Sequence, residues 1–373
     1  MAAPTVLISG AGIAGSTLAF WLARRGFTVT VVERDQGVRS SGNPVDVRAA
    51  AVDVAVAMGV LPQLADLSTR VETLSFVDER GRRKARLDIR PHDRAGGGRE
   101  VEVPRSDLAR VLLEAGRQQA EFVFDESITA LRQDAGGVDV TLASGVERRF
   151  DLVVGSDGMH SAIRRLTFGP EHDFVRYLAL FVGTLALGLP LGDSTEVVMY
   201  NAPGRSASVH PVSGNPLAAF IFRSPERKDF DHRDVALHKR MLAETYTGDG
   251  WRVPELLEQL RDTDDLYFDA VNQVRIPKWS NGRVVVLGDA ASSVSLFGEG
   301  SSPAMIGAAN LAEALAEHPD PTVAFSRFEA EHRPRILAKQ RFGTLAARLI
   351  VPATRPGLVL RNAAARLSSR FHR

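Results

Sequence analysis

Apolar and polar positions along this chain switch repeatedly between the period of a strand and the period of a helix. Thr5–Ser9 (TVLIS) is an unbroken apolar run of the kind buried on both faces of a sheet, and Thr28–Val32 (TVTVV) is a second. Between them Ile13–Arg25 carries apolar residues at helical spacing and stops at Gly26. The pattern next predicts a helix over Ala49–Met58 ending at Gly59. A hairpin follows over Val71–Ile89, turning at Glu79-Arg80-Gly81, and then a polar, glycine-rich loop over Arg90–Arg99. Arg105–Gly116 reads as a helix with Ser106 as its cap. Four short strands come after it, Phe122–Phe124, Ile128–Gln133, Val138–Leu142 and Glu147–Phe150, before the apolar strand Leu152–Gly155. From Phe174 to Arg223 the alternation is that of a strand meander, and helices are expected at Val235–Tyr246 and Pro254–Asp262. A last strand–turn–helix spans Arg283–Leu315, and long helices close the chain.

The first of these transitions carries chemistry. Gly10, Gly12 and Gly15 stand between strand and helix as G-x-G-x-x-G, and the second strand ends in Glu33. Strand, tight turn, helix, strand and acid in this order form a dinucleotide-binding unit. Gly10 permits the sharp turn, Gly12 lets the backbone approach a pyrophosphate, and Gly15 lets helix pack on strand. The helix N-terminus at Ile13 and Ala14 offers N–H groups to phosphate, and Glu33 is placed to accept from an adenosine ribose. NAD and FAD both use such a unit. Arg34 suggests a 2′-phosphate, but the acid before it would repel one.

Bulk properties narrow the class. A length of 373 residues suggests one large or two medium domains, and a hydrophobic fraction of 44% with 24% charged residues is that of a globular protein. The formal net charge of +1 gives no global field for nucleic acid. With no cysteine the chain has no disulfide, thiolate metal site, iron–sulfur cluster or cysteine nucleophile, which suits a cytoplasmic location. No signal peptide, transmembrane segment or metal-ligand spacing is read.

Two further glycine motifs lie downstream. In Leu152–Arg165 (LVVGSDGMHSAIRR) a strand delivers Asp157-Gly158, and Ser161 starts a helix. Asp157 either accepts from a ribose or caps the turn, while Arg164 and Arg165 are available to phosphate. In Arg283–Leu315 a strand delivers Gly288-Asp289, then a loop with Gly298 and Gly300 leads into a helix from Ser302. Asp289 suits a ribityl or ribose hydroxyl, and the glycine loop suits an electron-rich ring; a plain Asp-capped turn is the alternative.

The order and spacing of the three motifs resemble the class A FAD-dependent aromatic monooxygenases, the p-hydroxybenzoate hydroxylase-like enzymes, and among them the compact tetracycline-inactivating monooxygenases. The likeness covers residues 5–335 and includes PRSDLARVLLEA, NPVDVRAAAVDVAVAMGV and AFSRFEAEHRPR. It implies an α/β fold: a Rossmann-like (GR2-type) FAD-binding domain from 1–72, 99–174 and 266–325, an inserted β-sheet substrate domain from 73–98 and 175–265, and C-terminal bridging helices over 326–373. It implies non-covalent FAD, held by Gly10, Gly12, Ile13, Ala14, Gly15, Glu33, Arg34, Arg48, Arg105, Asp157, Gly288, Asp289, Gly298, Gly300, Ser301 and Ser302. Transient reduction by NADPH or NADH would follow, then oxygen transfer from a C4a-hydroperoxyflavin to an aromatic or polycyclic small molecule. Candidates for lining the ring are Arg48, His210, Phe297 and Gly298. His210 is either a structural histidine or faces the substrate cavity, and Tyr200, Phe220 and Phe222 either line that cavity or form plain core.

The sequence departs from the family where Ser292 replaces a histidine, Ser295 and Leu296 replace prolines, and Ser302 stands near an asparagine position. These changes leave open a flavoprotein that does not transfer oxygen, such as a dehydrogenase, reductase or cyclase. Beyond Glu331 there is no further acid among many arginines. That end is either a bridging helix with a solvated basic face or a weak contact for an anionic membrane surface or carrier protein.

Overall fold

The computed structural model describes residues 3–37, 43–89, 99–188, 195–212, 216–227, 230–293 and 300–371, with backbone alone at 342–348 and 368–371. The apolar runs at Thr5–Ser9, Thr28–Val32 and Leu152–Gly155 pair in parallel, with Ile8 opposite both Val31 and Val154. They belong to a six-stranded sheet ordered Ser280–Asn281, Val284–Val286, Leu152–Gly155, Thr5–Ser9, Thr28–Val32, Glu121–Val123. Strands buried on both faces require continuous apolar sequence, and Val6, Leu7, Ile8, Val153 and Val154 are fully buried. The helices Ile13–Arg24 and Ser301–Glu317 pack against each other beside this sheet. Ile128–Gln133, Val138–Leu142 and Glu147–Phe150 form a separate three-stranded antiparallel sheet.

A second, seven-stranded sheet runs in the order Leu266–Val274, Val175–Ala186, Leu217–Arg223, Arg205–His210, Glu196–Ala202, Thr73–Val77, Arg83–Asp88. All its pairings are antiparallel except Thr73–Val77 with Glu196–Ala202. The hairpin turn expected at residues 79–81 is present: Gly81 has φ +73°, and Asp78 Oδ1 accepts from the Arg80 and Arg82 N–H groups. One face of this sheet is covered by Val235–Tyr246 and Val253–Asp262 over a core of Phe181, Phe220, Phe222, Phe268 and Tyr246. Strand alternation sends Val182, Ile221 and Val271 to the opposite face, where they meet Val351.

Pro321–Ile350 is a 30-residue helix that links the two sheets. Phe325 and Phe328 enter the core of the first, and Ile350 packs beside the second. Arg355–Phe371 then lies along the Arg83–Asp88 edge. The Arg361 guanidinium sits 3.6 Å over the Phe76 ring and donates to Asn201 Oδ1 at 2.8 Å. Arg366 donates to the Lys84 carbonyl at 2.6 Å. These two cations of the basic tail thus face the seven-stranded sheet. Among the described residues no helix is long and apolar enough to cross a membrane. The expected Ser106 cap is absent: Pro104 precedes the Arg105–Arg117 helix, so Ser106 falls inside its first turn. The last glycine-motif helix begins at Ser301, one residue earlier than the pattern suggests.

Candidate functional site

The three glycines of the first motif differ in what surrounds them. Gly10 has φ +100°, and a Cβ there would lie 2.7 Å from the Ser156 carbonyl oxygen. A Cβ on Gly15 would lie 1.9 Å from the Gly10 carbonyl oxygen and 2.6 Å from Ser156 Oγ. The packing of the protein alone therefore demands glycine at both positions. A Cβ on Gly12 would meet nothing within 4 Å. Among the described residues no atom accounts for Gly12, and the space beside it is open to a ligand. Gly12 also begins the Ile13–Arg24 helix without any side-chain cap, so the positive end of the helix is left for an anion.

Glu33 closes this loop from the neighbouring strand. Its Oε2 accepts from the Ala11 N–H at 2.8 Å and its Oε1 from the Asp35 N–H at 3.1 Å. Arg34 is partly exposed and lies 3.8 Å from Asp35. Ser156, which carried no role in the sequence reading, ties the motifs together by donating to the carbonyls of Ser9 and Gly10 at 2.9 and 3.0 Å. The only sequence signal for it was a hydroxyl at the end of a buried strand.

In the Asp157-Gly158 motif the carboxylate turns inward. Asp157 accepts from Ser161 Oγ and from the N–H groups of Ala162 and Ile163, at 2.7 and 3.1 Å for the latter pair. Burial raises its pKa against these hydrogen bonds. Of the two readings of Asp157, these bonds are those of the turn cap. Arg164 is fully buried, donating to the carbonyls of Ala290 and Met159 and to Glu171 Oε2. It therefore clamps the second motif to the third and is not available to phosphate, because no part of it reaches the surface. The next residue but three back, His160, sits between Glu171 (3.0 Å) and Asp269 (3.3 Å) and stacks on His232 at 3.9 Å. Burial opposes its charge, but the hydrogen bonds to Asp269 and Glu171 prevail and raise its pKa to about 9.

The third motif presents Gly288 at φ +63° and then Asp289. Among the described residues nothing hydrogen-bonds the Asp289 carboxylate. Burial raises its pKa, and the charge of Arg105 pulls the other way. A Cβ on Gly300 would stand 3.6 Å from Asp289 Oδ1. Ser301 and Ser302 each donate to the Asp46 carbonyl, at 2.9 and 2.7 Å, and Ser302 Oγ accepts from the Arg48 N–H at 3.0 Å. The first turn of the Ser301–Glu317 helix is thereby stitched to residues 46–48. Arg48 pairs with Asp46 at 2.8 Å, and Ala49 beside it holds φ +51°, ψ −133°. The buried glycine cradle, the unmatched carboxylate and the uncapped helix end fit a flavin dinucleotide.

Comparison with known proteins agrees. Residues 3–335 match the FAD binding domain family. A flavin-dependent monooxygenase of Legionella longbeachae is 33% identical over 348 residues, covering 91% of this chain and 87% of that one. The chain belongs to the class A FAD-dependent monooxygenases. An uncharacterized protein of Mycobacterium tuberculosis is 37% identical to this monooxygenase over 340 residues, 88% of this chain and 89% of that one. Among solved structures, the tetracycline destructase Tet(51) superposes with a TM-score of 0.85 at 28% identity, over 99% of this chain and 97% of that one.

The other candidates of the monooxygenase fall in three places. Phe297 and Gly298, with Ser295 and Leu296, lie outside the described residues. His210 ends the Arg205–His210 strand, on the face opposite Ala207 and Val209, with Ser208 Oγ 3.0 Å from its Nε2. Burial pushes its pKa down to about 4, so its imidazole is neutral at ordinary pH. Tyr200, Phe220 and Phe222 do not line that face. They point into the core beneath the two helices, because strand alternation puts them on the same side as Ala207. Gln340 was not foreseen at all. It donates to the carbonyls of Val274 and Ser293 at 3.0 and 2.9 Å, fixing the residue where the serine-rich loop begins. No motif surrounds it in the sequence.

Proposed function

We propose that this monooxygenase takes a hydride from NADPH or NADH and inserts one atom of O₂ into an aromatic or polycyclic small molecule. The balance is substrate C–H, O₂, reduced nucleotide and a proton giving C–OH, water and oxidised nucleotide. When bound, FAD supplies the hydride acceptance and oxygen activation. The observation that carries the reading is the open space at Gly12 combined with the unmatched Asp289 carboxylate across the strand ends. In this reading Gly12, Ile13, Ala14 and Gly15 receive the pyrophosphate, and Glu33 and Arg34 flank the adenosine ribose. Asp289 accepts from a ribityl hydroxyl with Arg105 and Gly288 beside it. Gly300, Ser301 and Ser302 bring a helix N-terminus to the ring. Arg48 stands at the ring edge, and Asp157 holds the second motif in shape.

The substrate would lie between the ring and the flavin-facing side of the seven-stranded sheet. Neutral His210 offers that space a hydrogen-bonding nitrogen without a charge, and Val351 seals one end against water by packing on Leu180, Val182 and Ile221. The name of the tetracycline destructase neighbour supports a polycyclic substrate, and the cytoplasm suits the nucleotide reductant. A second reading, a flavoprotein that transfers no oxygen, is favoured by buried Ser292 in place of the family's histidine.

Purified holoenzyme, a reduced nicotinamide nucleotide and a panel of polycyclic phenols under ¹⁸O₂ would decide between them. Product carrying one ¹⁸O supports the monooxygenase reading. Stoichiometric hydrogen peroxide with no labelled product, across substrates that accelerate flavin reduction, rejects it.

A further inference from the structure

Two buried glutamines join the seven-stranded sheet to the long linking helix. Gln273 belongs to the Leu266–Val274 strand and is fully buried, while Gln340 belongs to the Pro321–Ile350 helix and is 2% exposed. Gln273 Nε2 donates to the Gln340 carbonyl at 2.8 Å, and Gln340 Nε2 donates back to the Val274 carbonyl at 3.0 Å. The same Gln340 nitrogen also donates to the Ser293 carbonyl at 2.9 Å. Arg275 steadies the pair from the side by donating to Gln273 Oε1 at 3.1 Å. Filling this space needs only a leucine or methionine of similar volume. What glutamine adds at position 340 is two N–H donors aimed at carbonyls of two different elements.

Ser293 ends the third glycine motif. The motif's single helical turn, Asp289–Ser292, hangs between two anchors. At its start the Leu287 N–H donates to the Gly155 carbonyl at 2.8 Å, which fixes the turn to the six-stranded sheet. At its end Ser293 gives its carbonyl to Gln340 and donates its Oγ to the Asn272 carbonyl at 3.1 Å. Both contacts at this end lead to the seven-stranded sheet or to the glutamine that grips it. The Asp289 carboxylate is held by no hydrogen bond among the described residues, so its direction follows from the backbone of that turn.

We infer that Gln340 is a positioning residue: one amide, gripping Val274 and Ser293 together, sets the aim of Asp289 and ties it to the seven-stranded sheet. The inference rests on the proposed contact of Asp289 with a ribityl hydroxyl. It gives the linking helix a task besides packing, since the carboxylate offered to the flavin chain is registered against the sheet that faces the substrate.

The test uses the full chain as apoprotein and two readouts. The first is FAD affinity, titrated in the wild type, Q340M, D289A and the double variant. Q340M keeps the volume and removes both donors, and should weaken FAD by about tenfold, the scale of one misdirected hydrogen bond to a charged group. With D289A already present, Q340M should cost less than about twofold, because nothing is left to aim. The second is hydrogen exchange at the Ala291 and Ser292 amides, both bonded to the Gly288 carbonyl. Exchange there should quicken about tenfold in Q340M while the Leu287 amide keeps its wild-type rate. Should Q340M not fold, Q340N, which withdraws the amide by one methylene, is expected to give the same pattern. Unchanged exchange at Ala291 and Ser292, or an affinity loss of equal size with and without Asp289, would overturn the inference. If D289A alone keeps full FAD affinity, the ribityl reading fails separately and exchange alone decides: faster exchange upholds the role of Gln340, and unchanged exchange rejects it.

Discussion

Glu33 Oε2 accepts a hydrogen bond from the Ala11 N–H at 2.8 Å, across 22 residues of sequence. A carboxylate usually credited to ribose recognition is therefore also a strut of the phosphate loop, since Ala11 is nearly buried and its N–H would otherwise lack a partner. Glu33→Ala should lose about 1–3 kcal/mol of stability through that orphaned donor and weaken FAD retention further by removing the ribose acceptor. Urea unfolding of the apoprotein and an FAD titration separate the two losses. Glu33→Gln, which keeps an acceptor oxygen, should recover most of the stability and less of the affinity.

Gly12 and Gly15 should fail in different ways. Gly12→Val puts its side chain into space that no protein atom fills, so the apoprotein should fold with a wild-type melting curve and purify colourless. Gly15→Ala drives a methyl to 1.9 Å from the Gly10 carbonyl and should give little soluble protein. Full flavin content in purified Gly12→Val would refute the pyrophosphate assignment.

Ala49 occupies φ +51°, ψ −133°, a conformation that glycine tolerates and alanine does not. Ala49→Gly should relieve strain of roughly 1–3 kcal/mol, offset by about 0.5–1 kcal/mol of added chain entropy in the unfolded state. The net expectation is a modestly higher melting temperature, read by calorimetry. A lower one would mean that the methyl packs usefully at this junction.

His160 makes stability depend on pH in a defined window. Its folded pKa is raised to about 9 from the ordinary imidazole value of about 6.5, so the charged form is favoured by folding. The stabilisation is complete below pH 6.5 and is lost as pH rises through 9. Its size is on the order of 3 kcal/mol. His160→Gln should flatten the stability profile between those limits, and the wild type and variant curves should converge above pH 9. Parallel curves across the whole range would contradict the ion-pair assignment to Glu171 and Asp269.

The flavin frame was legible in the sequence because its signals are local. Glycines, an acid and two apolar runs within 30 residues define the first unit, and the Asp157 and Asp289 motifs repeat that strand–turn–helix grammar. What escaped were choices made by distant neighbours. Whether Phe220 faces core or cavity depends on which side of its strand meets the helices at 235–262, and periodicity alone fixes only that neighbours alternate. Arg164 looked like a phosphate ligand until the third motif's carbonyl at Ala290 closed over it. Ser156 and Gln340 act through backbone carbonyls more than forty residues away along the chain, and no spacing rule encodes such partners.

The contacts around Gly10, Gly15 and Ser156 bear on how this enzyme can change. The nucleotide cradle is backbone pressed on backbone, with carbonyls closer than a methyl group could tolerate. Nothing there can be exchanged a little at a time, because each substitution either clashes or does not. Variation in this enzyme has to be acquired away from that cradle. Descendants of this chain will therefore keep one glycine-lined cradle while the rest of the molecule diverges.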